Sequence, residues 1–214
     1  MKGKYLLILL FSLISASGKC QYNDFGPGYQ LTLLGNPGLT GSEGVGSLRL
    51  SYLNFYPGNR FNIHSVNVSY DGYFPALHGG AGFYVSNDNL NGIINNLRGG
   101  FSYAYHFQAA RDLFISAGLS ASVCHRGYDF SGAILPDQID PMRGAVLPSG
   151  EILDLKGKSV LDLSTGFLFM SEHYFGGVAV NHLTEPDTDD SGYSESRINR
   201  RLLLHMAGDF DINA

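Results

Sequence analysis

The sequence predicts an all-β fold of antiparallel strands, on three observations. From Phe101 to Phe107 every odd position is aromatic (Phe101, Tyr103, Tyr105, Phe107), with Ser102, Ala104 and His106 between. A period of two puts the rings on one face of a strand and the small or polar residues on the other. The same alternation recurs along the chain, broken by Gly-, Pro- and Asn-rich connections. Composition agrees: 28 Gly, 13 Tyr and 14 Phe, no Trp, and only 15% charged residues, against the ~25% usual in soluble domains.

Each element can be read in turn. Gln21 to Gly44 is Gly- and Pro-rich and unpatterned, a segment entering the fold rather than a strand. Val45 to Tyr56 is a first strand, Leu48, Leu50 and Tyr52 alternating with Ser47, Arg49 and Ser51; its phase slips near Leu53, which predicts a bulge. Pro57-Gly58-Asn59 turns the chain into a second strand, Phe61 to Phe74. Pro75 to Gly80 leads to a third, carrying Ala81, Phe83 and Val85, and Asn87-Asp88-Asn89 with Asn91-Gly92 predicts a loop.

The aromatic segment is the fourth strand. After a tight connection, Gln108 to Asp112, the fifth sets Leu113, Ile115, Ala117, Leu119, Ala121 and Val123 against Ser116, Gly118, Ser120, Ser122 and Cys124. Ser131 to Gly157 is a long connection holding three Pro and four Gly; such connections are usually functional or mobile. Lys158 to Met170 is a sixth strand and Tyr174 to Leu183 a seventh, joined at Ser171-Glu172-His173. A polar loop, Thr184 to Arg201, precedes an eighth strand, Arg201 to Ile212.

Two architectures use ribbons with one greasy and one small, hydrophilic face. A soluble sandwich or lipocalin-like cup turns the apolar face inward; a membrane barrel turns it to lipid and the polar face to a lumen. About eight strands of roughly ten residues, joined by alternating short and long connections, match the length of a tilted membrane strand. Aspartates recur opposite the apolar face (Asp71, Asp162, Asp209, Asp211), as a wet lumen permits. An outer-membrane β-barrel is therefore expected.

Met1 to Cys20 reads as a secretory signal: Lys2 and Lys4, an apolar core Tyr5 to Ile14, then Ser15, Ala16, Ser17 and Gly18, with cleavage expected before Gln21. A lipoprotein signal acylated at Cys20 is the weaker reading, because Lys19 stands where a small residue is wanted. Residues 21–214 form one barrel domain. Losing Lys2, Lys4 and Lys19 takes the formal charge from −5 to −8. With no basic stripe along the sequence, nucleic acid is not an expected partner. The remaining cysteine, Cys124, excludes a disulfide framework and fits a small inward position.

Several strings resemble the PorP/SprF family, outer-membrane proteins of the type IX secretion and gliding machinery of Bacteroidetes. They are Asn36-Pro37-Gly38-Leu39-Thr40-Gly41, Ser69-Tyr70-Asp71, Gly79 to Asp88, Tyr103-Ala104-Tyr105-His106, His125-Arg126-Gly127-Tyr128-Asp129, Leu135-Pro136-Asp137-Gln138 and Phe175 to Thr184. Their shared order spans most of the chain. The resemblance implies an outer-membrane barrel in type IX secretion, with lipid and either other secretion subunits or a secreted surface adhesin as partners. Family members are generally longer, and this chain stops at Asn213-Ala214 without a terminal aromatic. Its eight strands are expected to be a whole barrel or part of a larger one.

No catalytic, cofactor or metal residue is assigned. The histidines at 64, 78, 106, 125, 173, 182 and 205 make no ligand pair; His106 and His205 fall on the polar strand face, where lumen lining or hydrogen bonding is expected. Asp187-Thr188-Asp189-Asp190 lacks the spacing of a calcium loop. Gly79-Gly80-Ala81-Gly82 is followed by no helix pattern, so curvature or close backbone approach explains it better than a phosphate cradle. No Gly-x-Ser-x-Gly elbow is present. A binding role at the two long loops is expected, with a small-solute channel or a soluble ligand-binding cup as alternatives.

Overall fold

The computed structural model describes residues 33–58, 62–131, 133–140, 142–145, 148–150, 157–188 and 197–209. The expected signal and the end of the last strand lie outside them. Among the described residues ten strands form: β1 (Ser47–Phe55), β2 (Ile63–Phe74), β3 (Gly79–Leu90), β4 (Ile94–Ala110), β5 (Leu113–Tyr128), β6 (Ile139–Asp140), β7 (Gly144–Ala145), β8 (Lys158–Ser171), β9 (Tyr174–Asn181) and β10 (Arg201–Gly208). All but β6 and β7 make one antiparallel sheet in chain order, curled like an opened barrel, with β1 and β10 at its two edges. β6 and β7 pair only with each other, inside the long connection.

The eight main strands match the eight predicted segments, with corrections. Asn87, Asp88 and Asn89 are not a loop: β3 runs through them, paired to β2 and β4, and the turn shrinks to the residues after Leu90. β4 accordingly starts at Ile94 and β5 reaches Tyr128. There is no bulge near Leu53: it sits in register opposite Ser65 as an inward apolar residue. The register shift lies instead between Gln108 and Ala110.

Register sorts the faces. Leu50, Tyr52, Val66, Phe83, Phe101, Tyr103, Leu119, Leu161, Phe167, Leu202 and Leu204 share the convex side and are exposed, Phe101 at 75% and Leu204 at 79%. The concave side is buried yet polar or small: Ser69, Asp71, Ser102, Ser116, Ser120, Ser122, Asp162 and Cys124. A water-soluble domain seldom exposes an apolar patch beyond a few hundred Å², whereas a lipid-facing barrel wall requires one. Toward the ends of β3, β4 and β5 that border the longer connections, outward positions turn polar (Asn87, Asn89, Asn95, His125), marking where the apolar band stops. Among the described residues no helix is long and apolar enough to cross a membrane.

Candidate functional site

Along the concave face, directly opposed residues form rungs that cross the sheet, and two zones separate. In the half nearer the short turns, one rung carries Asp71, Gly82, Ser102, Ser120 and Ser164, the next Gly80, Ala104, Gly118, Gly166 and Ala179, and a third Ser116, Leu168, Gly177 and His205, with His106 opposite Ser116. So many minimal side chains leave a shallow floor. Chain from Leu33 to Gly44 lies on it.

This segment is held from six strands. Asn36 opens a 3-10 turn, Pro37–Leu39, by accepting a 2.8 Å bond from the Gly38 amide. Its amide nitrogen donates to the Phe167 carbonyl at 3.2 Å and lies 2.9 Å from His205 Nε2. Ser116 Oγ donates to the Gly38 carbonyl at 2.7 Å, His106 Nε2 to the Thr40 carbonyl at 2.8 Å, and Asn181 to the Gly35 carbonyl at 3.0 Å. Thr40 and Ser102 hydroxyls meet at 2.6 Å. Asp71 accepts from the Gly41 amide at 2.6 Å and from Arg49 at 2.5 Å. Backbone polar groups on a buried segment need such partners, and the sheet supplies them from β2, β4, β5, β8, β9 and β10.

The glycines beneath are needed for closeness. A Cβ on Gly118 would overlap the Pro37 backbone, and one on Gly80 the Thr40 carbonyl. Within Gly79 to Gly82 it is Gly80 that serves close backbone approach to this segment, while Gly79 and Ala81 fall on the convex face. Leu33, Asn36 and Thr40 are at most 1% exposed. The segment acts as a plug for the inner face.

Of the aspartates expected to line a wet lumen, Asp71 and Asp162 are buried instead, Asp209 is exposed, and Asp211 lies outside the described residues. Asp71 is 1% exposed and bound as described. Asp162 accepts from His182 Nδ1 at 2.6 Å and from Thr184 at 3.2 Å, tying the base of the second polar loop to β8. His182 holds φ +58° there, a conformation that surrounding contacts must enforce. A buried hydrogen-bonded pair of this kind is costly to break from one side.

The other singled-out residues scatter. His106 and His205 touch the plug; His125 faces outward and pairs with Ser159 at 2.9 Å; His78 ends a turn after β2. Asp187 bridges to Arg197, and Asp189-Asp190 lie outside the described residues. Among the described residues no three of His, Cys, Asp or Glu gather for a metal ion. Cys124 occupies a buried inward position. In the long connection, Asp137 accepts from Ser149 and the Gly150 amide. The plug itself escaped the sequence reading; its one signal was the run of Gly, Ala and Ser on consecutive inward positions, too small to fill an interior alone.

Outward grease, a polar interior and a tethered internal segment define the class: a membrane β-barrel wall with a plugged inner face. The profile of the family described as type IX secretion system membrane protein PorP/SprF matches residues 14–213, and the chain belongs to that family. Membership implies an outer-membrane component of type IX secretion. No curated protein and no solved structure matches the chain.

Proposed function

We propose that this protein is exported through a cleaved signal, Met1 to Cys20, embeds residues 21–214 as a barrel in the outer membrane, and there binds or anchors protein partners without catalysis. Those partners are a secreted surface adhesin or other subunits of the machinery. The plug carries this reading. A solute channel needs a water-filled lumen, whereas here Leu33 to Gly44 lies along the inner face, hydrogen-bonded to six strands. A tightly held seal suits a scaffold whose traffic is with proteins at its rim. The long connections, Ser131 to Gly157 and Thr184 to Arg201, are the parts free to meet a partner, since binding residues concentrate on loops carried by a rigid frame.

Two measurements test it together. In a strain lacking the gene, secretion or surface retention of type IX cargo should fail, and the purified protein in planar bilayers should carry no steady current. A large, persistent single-channel conductance, with secretion and gliding intact in the deletion strain, would replace this reading by the channel. Recovery of the native protein in a soluble periplasmic fraction after carbonate washing would instead favour the ligand-binding cup.

A further inference from the structure

The two histidines that touch the plug hold it by opposite means. His106 Nε2 lies 2.8 Å from the Thr40 carbonyl. A carbonyl only accepts, so this nitrogen carries a proton, in a neutral or a charged ring alike. His205 Nε2 lies 2.9 Å from the Asn36 side-chain nitrogen. The other two partners of Asn36 fix the direction of that bond. Its oxygen accepts from the Gly38 amide at 2.8 Å, which can only donate. Its nitrogen donates to the Phe167 carbonyl at 3.2 Å, which can only accept. Turning the amide over would spoil both bonds. Asn36 therefore faces His205 as a donor, and His205 Nε2 must accept.

Only a neutral imidazole protonated at Nδ1 can do that. That Nδ1 is buried, with no hydrogen-bond partner among the described residues. A proton taken up from water would land on Nε2, the ring nitrogen with the lone pair, and set one N–H against another. Both ring N–H groups would then lack an acceptor while the ring carries charge, which burial penalises. The fold keeps the contact open: Gly177 stands opposite His205 in the β9–β10 ladder, and a Cβ there would come within 2.9 Å of His205 Nε2 and 2.8 Å of the Asn36 nitrogen. Around His205, β9 turns Phe175, Gly177 and Ala179 inward, β8 turns Leu168 and Met170, and the plug presents Asn36; none of them titrates. The titratable groups nearby in the described chain are Arg201 and Asp209, each four residues away, and Glu172 and His173 in the turn after β8. Across the concave face stand His106 and Arg49, the latter paired with Asp71 and Glu43.

We infer that His205 is an acid-sensitive latch on the Asn36 end of the plug, whereas His106 holds the Thr40 end at any pH. The Asn36–His205 contact is whole while the imidazole is neutral and is lost once it is protonated. The plug is thus held best above the range in which an imidazole charges and loosens as pH falls through it. Loosening is one-ended. Asn36 caps the Pro37–Leu39 turn and loses a partner, while Thr40 and Gly41 stay tethered by His106, Ser102 and Asp71. The latch rests on the plugged barrel and not on which protein the loops meet.

The test uses the full protein in nanodiscs. NMR of labelled histidine at about pH 7.5 should find His205 protonated at Nδ1 and His106 at Nε2. Hydrogen exchange then reads the two ends of the plug, with protection corrected for the intrinsic effect of pH. Protection of the Gly38 and Leu39 amides, which bond to Asn36, should fall about tenfold from about pH 7.5 to about pH 5.5. The Gly41 amide should keep its protection. His205→Gln, whose amide oxygen accepts but does not titrate, should retain protection at neutral pH and abolish the fall. His106→Gln should leave the fall in place. Heat-modifiable mobility on gels verifies folding; should His205→Gln not fold, the wild-type tautomer decides, and a proton on His205 Nε2 at neutral pH sinks the latch. A fall that survives in His205→Gln, protection indifferent to pH, or equal loosening at Gly41 would also overturn it. None of these results touches the anchoring role, which cargo retention in the deletion strain tests separately.

Discussion

The two faces of the β4–β5 hairpin make the most instructive comparison in the molecule. Outward, Phe101, Tyr103, Leu119 and Val123 are apolar and exposed. Inward, Gly100, Ser102, Ala104, Gly118, Ser120 and Ser122 are small or polar and buried. Both faces obey the same period of two, but each is the inverse of what water would select. The outer face has the apolar character that a hydrocarbon surrounding selects; the inner one is satisfied by a segment of the same chain.

Variants on either face sharpen this contrast. The largest effect is expected inside, from Asp71→Ala. It leaves the buried Gly41 amide without its acceptor and Arg49 with Glu43 alone, and removing one partner of a buried pair costs about 3–5 kcal/mol. Thermal unfolding in detergent should show it, with protease sensitivity appearing near Gly41; Asp71→Asn should recover part of the loss. Next is the outer face. Leu119→Arg, near the middle of β5, should cost about 2–4 kcal/mol for the lipid-embedded protein. If chemical unfolding from vesicles shows no loss, the convex face does not lie in hydrocarbon.

Back inside, Gly118→Leu should cost about 1–3 kcal/mol, since its Cβ must displace the Pro37 backbone from an already filled floor. Its mark is accelerated proteolysis of residues 33–44 with the strands still protected. Thr40→Val removes the hydroxyl pair with Ser102 and should cost about 1–2 kcal/mol.

The smallest effect belongs to Glu43, just before β1. Its hydrogen bond from Arg49 holds its carboxyl below the usual glutamate range. A depressed carboxyl adds stability that is full above the unfolded-state value and lost as pH falls through the folded one. Glu43→Gln and wild type should therefore differ slightly at neutral pH and converge in acid. A difference that grows with acidification would contradict the ion pair.

Much of the wall was legible from residues alone, because strand alternation is a local signal. Phe101 to Phe107 and Leu113 to Val123 announced their faces without help from the rest. Asn87 to Asn89 misled because turn-prone residues are tolerated in strands that run past the apolar band, where their outward side chains meet polar surroundings. Leu53 misled because an inward apolar residue mimics a slip in phase. The plug was hidden for a different reason: Asn36 and His205 are 169 residues apart, Asn181 and Gly35 146 apart. Nothing local in Asn36-Pro37-Gly38-Leu39-Thr40-Gly41 says which strands will supply its partners.

By itself, then, the sequence determined the eight strands of the main sheet, their two-sidedness and the ordered strings that mark the family, all properties written in neighbours or in short spacings. Tertiary structure alone decided what occupies the inside, because register aligns distant small residues into a floor on which Leu33 to Gly44 lies. The physical reason is that a side chain's face is set by its neighbours two positions away, whereas its partner is set by whichever strand pairs beside it.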